Sequence, residues 1–226
     1  MILMMIKKAA IEISQLHKVY QESGQQRVIF KDLTLSVTAG EFIVLLGRSG
    51  SGKSTLLNLI SGIDQPSSGD IKINDINLGQ LSEQQRTLFR RHHIGFVFQA
   101  YNLIPTLTVA ENLLLPLELI KPINNDDRIK VSGLLAQLDL AERLDSYPDR
   151  LSGGEQQRIA IARALVHNPD IILADEPTGN LDIDTGTQVL ALLDDLVRKA
   201  GKTLIMATHS ERSEERRVGK ECRSRW

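Results

Sequence analysis

The stretch Gly47-Arg48-Ser49-Gly50-Ser51-Gly52-Lys53-Ser54 fits the pattern G-x-x-x-x-G-K-[ST]. Its residue types suit a polyphosphate. Glycines such as Gly50 and Gly52 let backbone N–H groups converge on phosphate oxygens, and a following helix N-terminus adds a favourable dipole. Lys53 is the cation for the outer phosphates, and the Ser54 hydroxyl is a ligand for Mg²⁺. Thr55 belongs to the same binding set. An ordinary Gly/Ser turn is the alternative, but an apolar strand precedes this one and a helical pattern follows it.

A second constellation is Ile171-Ile172-Leu173-Ala174-Asp175-Glu176. Four apolar residues ending in two acids place carboxylates at the C-terminal end of a buried strand, where open α/β sheets bind ligands. Asp175 is a candidate for holding Mg²⁺, directly or through water. Glu176 is a candidate general base for an attacking water. Alone, such a pair reads as a solvated strand end; beside a phosphate loop it reads as catalytic.

The elements that must position these groups are short. Ile11–Tyr20, Arg27–Phe30, Leu33–Val37, Phe42–Leu46, Ile71–Ile73, Ile94–Phe98, Ile171–Ala174 and Thr203–Ala207 read as strands. Helices are predicted from Thr55 to about Ser61, over 182–200, and from Ser152 to before Pro169. A helical block spans 109–146, with Val131, Leu134, Leu135 and Leu138 in register. Ser82 with Gln85, Thr108 with Glu111 and Ser152 with Glu155 have capping-box spacing. Strands alternating with helices around a glycine turn predict a parallel α/β core. An antiparallel start and the helical segment 82–165 interrupt it.

Composition narrows the partners. The chain has 226 residues, enough for one large domain with a sizeable core. A net charge of −1 argues against bulk nucleic-acid binding. Residues 212–226 carry six Lys/Arg and three Asp/Glu, so the others hold 21 basic against 25 acidic side chains. The only cysteine lies in that last segment, so no disulfide framework exists, in keeping with a reducing compartment. The opening MILMMI is too short for a signal or a membrane span, and Met4 or Met5 serves equally as a start. A membrane role is therefore expected through a partner.

LSGGEQQRIAIARAL (151–165) just before IILADEPTGNLD (171–182) resembles the signature and Walker B segments of ATP-binding-cassette ATPases. The resemblance covers about residues 11–210 as one domain. It implies a P-loop NTPase core with a parallel sheet, an N-terminal antiparallel β subdomain and an inserted α-helical subdomain at about 100–165. It also implies that Tyr20 stacks on adenine, with a partly buried core tyrosine as the alternative. Gln99 matches the Q-loop glutamine, expected at the metal and among the catalytic residues, and Asp182 the D-loop aspartate. His209 matches the switch histidine, expected to contact the γ-phosphate and the attacking water; a structural histidine is the alternative. Two cassettes would sandwich two ATP, with Ser152, Gly153 and Gly154 of one chain facing the γ-phosphate held by Lys53 of the other. Ser152 can at the same time cap its own helix.

By the same resemblance, AYNLIPTLTVAENLLLPLEL (100–119) grips an integral membrane permease, although its leucines also suit a core. The chain is then a homodimeric ATP hydrolase on the cytoplasmic face of the cell membrane. Its segments look most like the group serving lipoprotein release, macrolide export and cell-division permeases. The alternative is an ATP-dependent dimerisation scaffold, and a cassette acting on ribosomes or DNA is disfavoured because neither a tandem cassette nor a coiled-coil insertion is present. Such cassettes continue past the histidine with a helix and closing strands. Residues 212–226 instead resemble a translated sequencing adapter, and Ser210 is expected among the last native residues. That predicts apolar surface left bare near 203–207.

Overall fold

The computed structural model describes residues 8–22 and 24–209. The expectations about the start methionine, Ser210 and the tail at 212–226 lie outside the described residues.

Two sheets divide the chain. The antiparallel sheet joins β1 (Ala9–Glu22), β2 (Gln25–Thr38), β4 (Ser68–Ile73) and β5 (Ile76–Asn77) in the order β2-β1-β4-β5. The parallel sheet joins β3 (Phe42–Leu46), β6 (Ile94–Phe98), β7 (Ile171–Asp175) and β8 (Thr203–Thr208) in the order β3-β8-β7-β6. Helices α1 (Lys53–Ile60), α2 (Glu83–His93), α3 (Val109–Glu118), α4 (Asn125–Gln137), α5 (Gly153–Leu165) and α6 (Ile183–Lys199) complete the described elements with three short 3₁₀ turns.

The parallel strands are continuously apolar because both faces are covered. Successive side chains alternate between two cores. Ile43, Leu45, Ile171, Leu173, Ile205 and Ala207 pack with α1 and the antiparallel sheet. Val44, Ile172, Ala174, Leu204 and Met206 pack with α3 to α6. The sheet is thus the middle layer, and its C-terminal edge carries the site. All of Thr203–Thr208 is buried between β3 and β7, which corrects the expectation of bare apolar surface at that strand.

Two sequence-based boundaries change. The two strands expected at 27–30 and 33–37 are one, β2, with a left-handed residue at Asp32 (φ +55°). The block 109–146 divides into α3, α4 and a 3₁₀ turn at Ala141–Arg143, because Pro122 interrupts it and Asn124 opens α4 with its own capping box to Asp127. The helix expected to stop before Pro169 does so, ending at Leu165. The predicted boxes at Ser82, Thr108 and Ser152 are all formed. Buried Asn112 braces the loop before α3, its amide donating to the carbonyls of Ile104, Leu107 and Thr108 while its Oδ1 accepts from Ile104 N–H.

Candidate functional site

The turn between β3 and α1 is tight. Gly47 sits against Ser51: a Cβ built on Gly47 would lie 2.5 Å from the Ser51 hydroxyl. Gly50 (φ +77°) and Gly52 (φ +92°) occupy the left-handed region, and a Cβ on Gly52 would lie 2.8 Å from Ile29 and 3.0 Å from Phe30. Only glycine fits there without strain. Lys53 is buried and crosses the loop, its Nζ donating to the carbonyls of Gly47 (2.7 Å) and Arg48 (3.2 Å).

A cleft of about 200 Å³ opens over this loop, lined by Ser49, Gly50, Gly52, Lys53, Ser54 and Thr55 together with Tyr20, Arg27 and Glu176. The structure therefore brings the phosphate loop, the aromatic and the acid to one place. Asp175, at the end of β7, meets the loop through Ser54: its carboxyl bonds the Ser54 hydroxyl, and its Oδ1 is buried without a hydrogen-bond partner. Burial pushes the Asp175 pKa up, the Ser54 bond and Lys53 oppose this, and Glu176 adds to it. An orphaned carboxylate oxygen beside a serine hydroxyl is a hard, all-oxygen donor set, and it fits Mg²⁺.

Glu176 follows in the left-handed region (φ +46°), with its N–H donating to Ala207 O at 2.9 Å. Because Asp175 pairs with Ala207 across β7 and β8, His209 emerges beside it, and His209 Nδ1 lies 3.0 Å from Glu176 Oε2. Gln99 follows Phe98, which pairs with Asp175, and so ends at the same sheet edge. Its side chain lies on Gly179, and its Nε2 donates to Asn180 Oδ1 at 3.3 Å. It does not line the phosphate-loop cleft; its amide is turned onto the 179–180 turn.

Tyr20 is positioned by residues that sequence reasoning missed. Its hydroxyl donates to Asp64 Oδ2, and the Thr55 hydroxyl also bonds it. Lys18 Nζ bonds the other Asp64 oxygen at 2.6 Å and sits 4.6 Å from the Tyr20 ring centroid. Burial works against ionising Asp64, but the bonds from Lys18 and Tyr20 outweigh it and hold that carboxyl below its usual range. Burial, then the Asp64 bond, raise the phenol. Lys18 precedes Tyr20 by two on one strand and so shares its face, which was the available signal. The pairing with Asp64 is long-range and gave none.

Ser152, Gly153 and Gly154 are elsewhere. They line a separate cleft of about 530 Å³ with Asn180, Asp182 and Thr185. Ser152 Oγ accepts from Glu155 N–H (3.3 Å) and Glu155 Oε2 accepts from Ser152 N–H (2.8 Å), so the serine caps α5. Asp182 caps α6, accepting from Asp184 and Thr185 N–H at 3.1 and 3.0 Å. A bond from the Thr185 hydroxyl, then the Thr185 and Asp184 N–H bonds, hold the Asp182 carboxyl below its usual range against burial. Both helix starts therefore face the same opening with their N–H ends.

The family model for the ABC transporter domain matches residues 30–179. The chain belongs to the ABC transporter family. It is an ATP-binding subunit and an ATP hydrolase of that family. It is 54% identical over 206 residues to an uncharacterised ABC transporter ATP-binding protein of Mycobacterium tuberculosis, covering 91% of this chain and 83% of that one. It is 44% identical to the lipoprotein-releasing system ATP-binding protein LolD of Legionella pneumophila, covering 89% of each. Its fold matches the ATP-binding cassette MJ0796, solved as a dimer in a post-hydrolysis state bound to ADP and Pi. The TM-score is 0.81 at 40% identity, over 90% of this chain and 89% of that one. Among the described residues, no helix of this ABC ATPase is long and apolar enough to cross a membrane.

Proposed function

We propose that two copies of this chain close head to tail around two ATP and drive a separate integral membrane permease from its cytoplasmic side. The observation that carries this reading is the separation of the two clefts. Each has half of what a triphosphate needs. The phosphate loop and Glu176 line one, with Asp175 behind Ser54; the dipole ends of α5 and α6, with Ser152 and Asp182, line the other. A second copy is the simplest source of the missing half, and the dimeric relative bound to ADP and Pi supports it.

In this reading the loop N–H groups and Lys53 hold the β- and γ-phosphates, and Tyr20 stacks on the base. Ser54 and Asp175 hold Mg²⁺, which supplies charge neutralisation at the phosphates when bound. Glu176 takes the proton of the attacking water, His209 orients Glu176 and the γ-phosphate, and Gln99 reports γ-phosphate occupancy to the helical segment 100–165. The permease is of the lipoprotein-release or macrolide-export type, as the likeness to LolD suggests.

Steady-state ATP hydrolysis by Glu176→Gln tests the residue roles. The substitution keeps size and removes the base, so turnover falls on the order of 10²–10⁴-fold while ATP binding persists. Turnover at the unsubstituted rate would overturn the role of Glu176.

A further inference from the structure

Helix α5 does more than present Ser152, Gly153 and Gly154. Gln157 on α5 is fully buried; its Nε2 donates to the Pro177 carbonyl, while its Oε1 has no partner. Arg163, near the end of the same helix, sends its guanidinium to the carbonyls of Tyr101 (2.9 Å) and Asn102. These three carbonyls belong to the loops that carry Glu176 and Gln99.

The backbone at or beside each contact is strained. Glu176 (φ +46°), Tyr101 (φ +57°) and Asn102 (φ +52°) all occupy the left-handed region without being glycine. Such residues persist only where the surroundings over-determine them. Arg163 on α5 holds Tyr101 and Asn102 directly; Glu176 is tied to β8 through Ala207, and Gln157 grips the next residue, Pro177. Gln157 also keeps a buried amide oxygen unsatisfied, which a purely structural core position would be better without. Tyr101 closes the circuit, since a Cβ on Gly153 would lie 2.8 Å from its hydroxyl: the ring rests on the signature end of the helix.

We propose that Gln157 and Arg163 are positioning residues through which α5 sets the geometry of the Glu176 and Gln99 loops. The signature end of a chain is then tied by hydrogen bonds to its own catalytic loops. This deepens the head-to-tail reading and rests on it: nucleotide engaged by Ser152 at one composite site is felt by Glu176 of the same chain at the other. Gln157 acts through the backbone at Pro177, one residue past the general base. Arg163 acts through the two residues that follow the Gln99 turn.

The test is ATP turnover by the full chain carrying Gln157→Met, Arg163→Met or Arg163→Lys. Methionine matches glutamine in length and removes the unsatisfied oxygen, so Gln157→Met keeps the fold, checked by its melting temperature. Expected for Gln157→Met and Arg163→Met is a drop in kcat on the order of tenfold with KM for ATP unchanged. Arg163→Lys, with fewer donors, falls between Arg163→Met and the unsubstituted chain. In a Glu176→Gln background, Gln157→Met has no further effect on the residual single-turnover rate, because nothing is left to position. Unchanged kcat in both methionine variants overturns the proposal. So does an equal fold-loss for Gln157→Met in the presence and absence of Glu176. An unsubstituted chain without turnover sinks the head-to-tail reading as well, which separates the two failures.

Discussion

His209 Nδ1 stands 3.0 Å from Glu176 Oε2, although 33 positions separate them in the chain. Parallel pairing of β7 with β8 creates the contact, by placing Asp175 opposite Ala207. His209 is half exposed and Glu176 is mostly covered, so the imidazole can steady the carboxylate and still reach a ligand above it. His209→Ala is expected to lower ATP turnover by about 10²-fold with little effect on ATP binding, read from kcat and KM in a coupled phosphate assay. A rate within twofold of the unsubstituted chain would make this histidine structural.

Lys18 fixes Tyr20 from below, through its ring contact and their shared Asp64. Lys18→Met keeps the aliphatic stem and removes the charge. ATP affinity should weaken by about five- to tenfold, the worth of one cation–π contact and its ion pair. Inorganic triphosphate, which has no base to stack, should bind as before. Equal losses for both ligands in a competition titration would show that Tyr20 does not meet the base.

Gly52 bears the sharpest local constraint of the phosphate loop. Gly52→Ala forces a Cβ against Ile29 and Phe30 at φ +92°, where an L-residue costs about 1–2 kcal/mol before any clash is counted. The unfolding midpoint in urea should fall accordingly, and the thermal shift given by ATP with Mg²⁺ should vanish. Full retention of that shift would show that the loop relaxes easily.

The signature cap has a defined pH response. The Ser152 N–H bond, aided by the Ser152 hydroxyl and Arg143, holds the Glu155 carboxyl below its ordinary value against the opposing effect of burial. A depressed folded-state pKa contributes stability that is present above the unfolded value and is lost as pH falls through the folded one. The stability gap between the unsubstituted chain and Glu155→Gln should therefore narrow from about pH 5 downward. Urea midpoints at pH 7 and at acid pH measure it, and a constant gap would contradict the assignment.

What was legible beforehand follows from locality. The turn at Gly47–Ser54, the capping boxes at Ser82, Thr108 and Ser152, and the apolar run Ile171–Ala174 of β7 are local patterns, and each formed as read. The division of 109–146 was missed because apolar spacing continues across the Pro122 break, and Asn124-Asp127 is a less usual pair for a cap. The roles of Lys18, Asp64, Gln157 and Arg163 were invisible for another reason. Their partners are 46, 20 and more than 60 positions away, and nothing in a periodic helix distinguishes a side chain that grips a distant carbonyl. Gln99 was placed at the correct sheet edge but not in its present orientation, which depends on a single weak bond to Asn180.

The central claim is that the two clefts are halves of one site completed by a second copy. Light scattering of the Glu176→Gln chain with ATP and Mg²⁺ tests it most directly, because hydrolysis can no longer dissolve the assembly. The account predicts a dimer that forms only with ATP, and its loss in the Glu176→Gln, Ser152→Arg double variant while that chain still binds nucleotide. A chain that stays monomeric with ATP bound, or a dimer indifferent to Ser152→Arg, would contradict it.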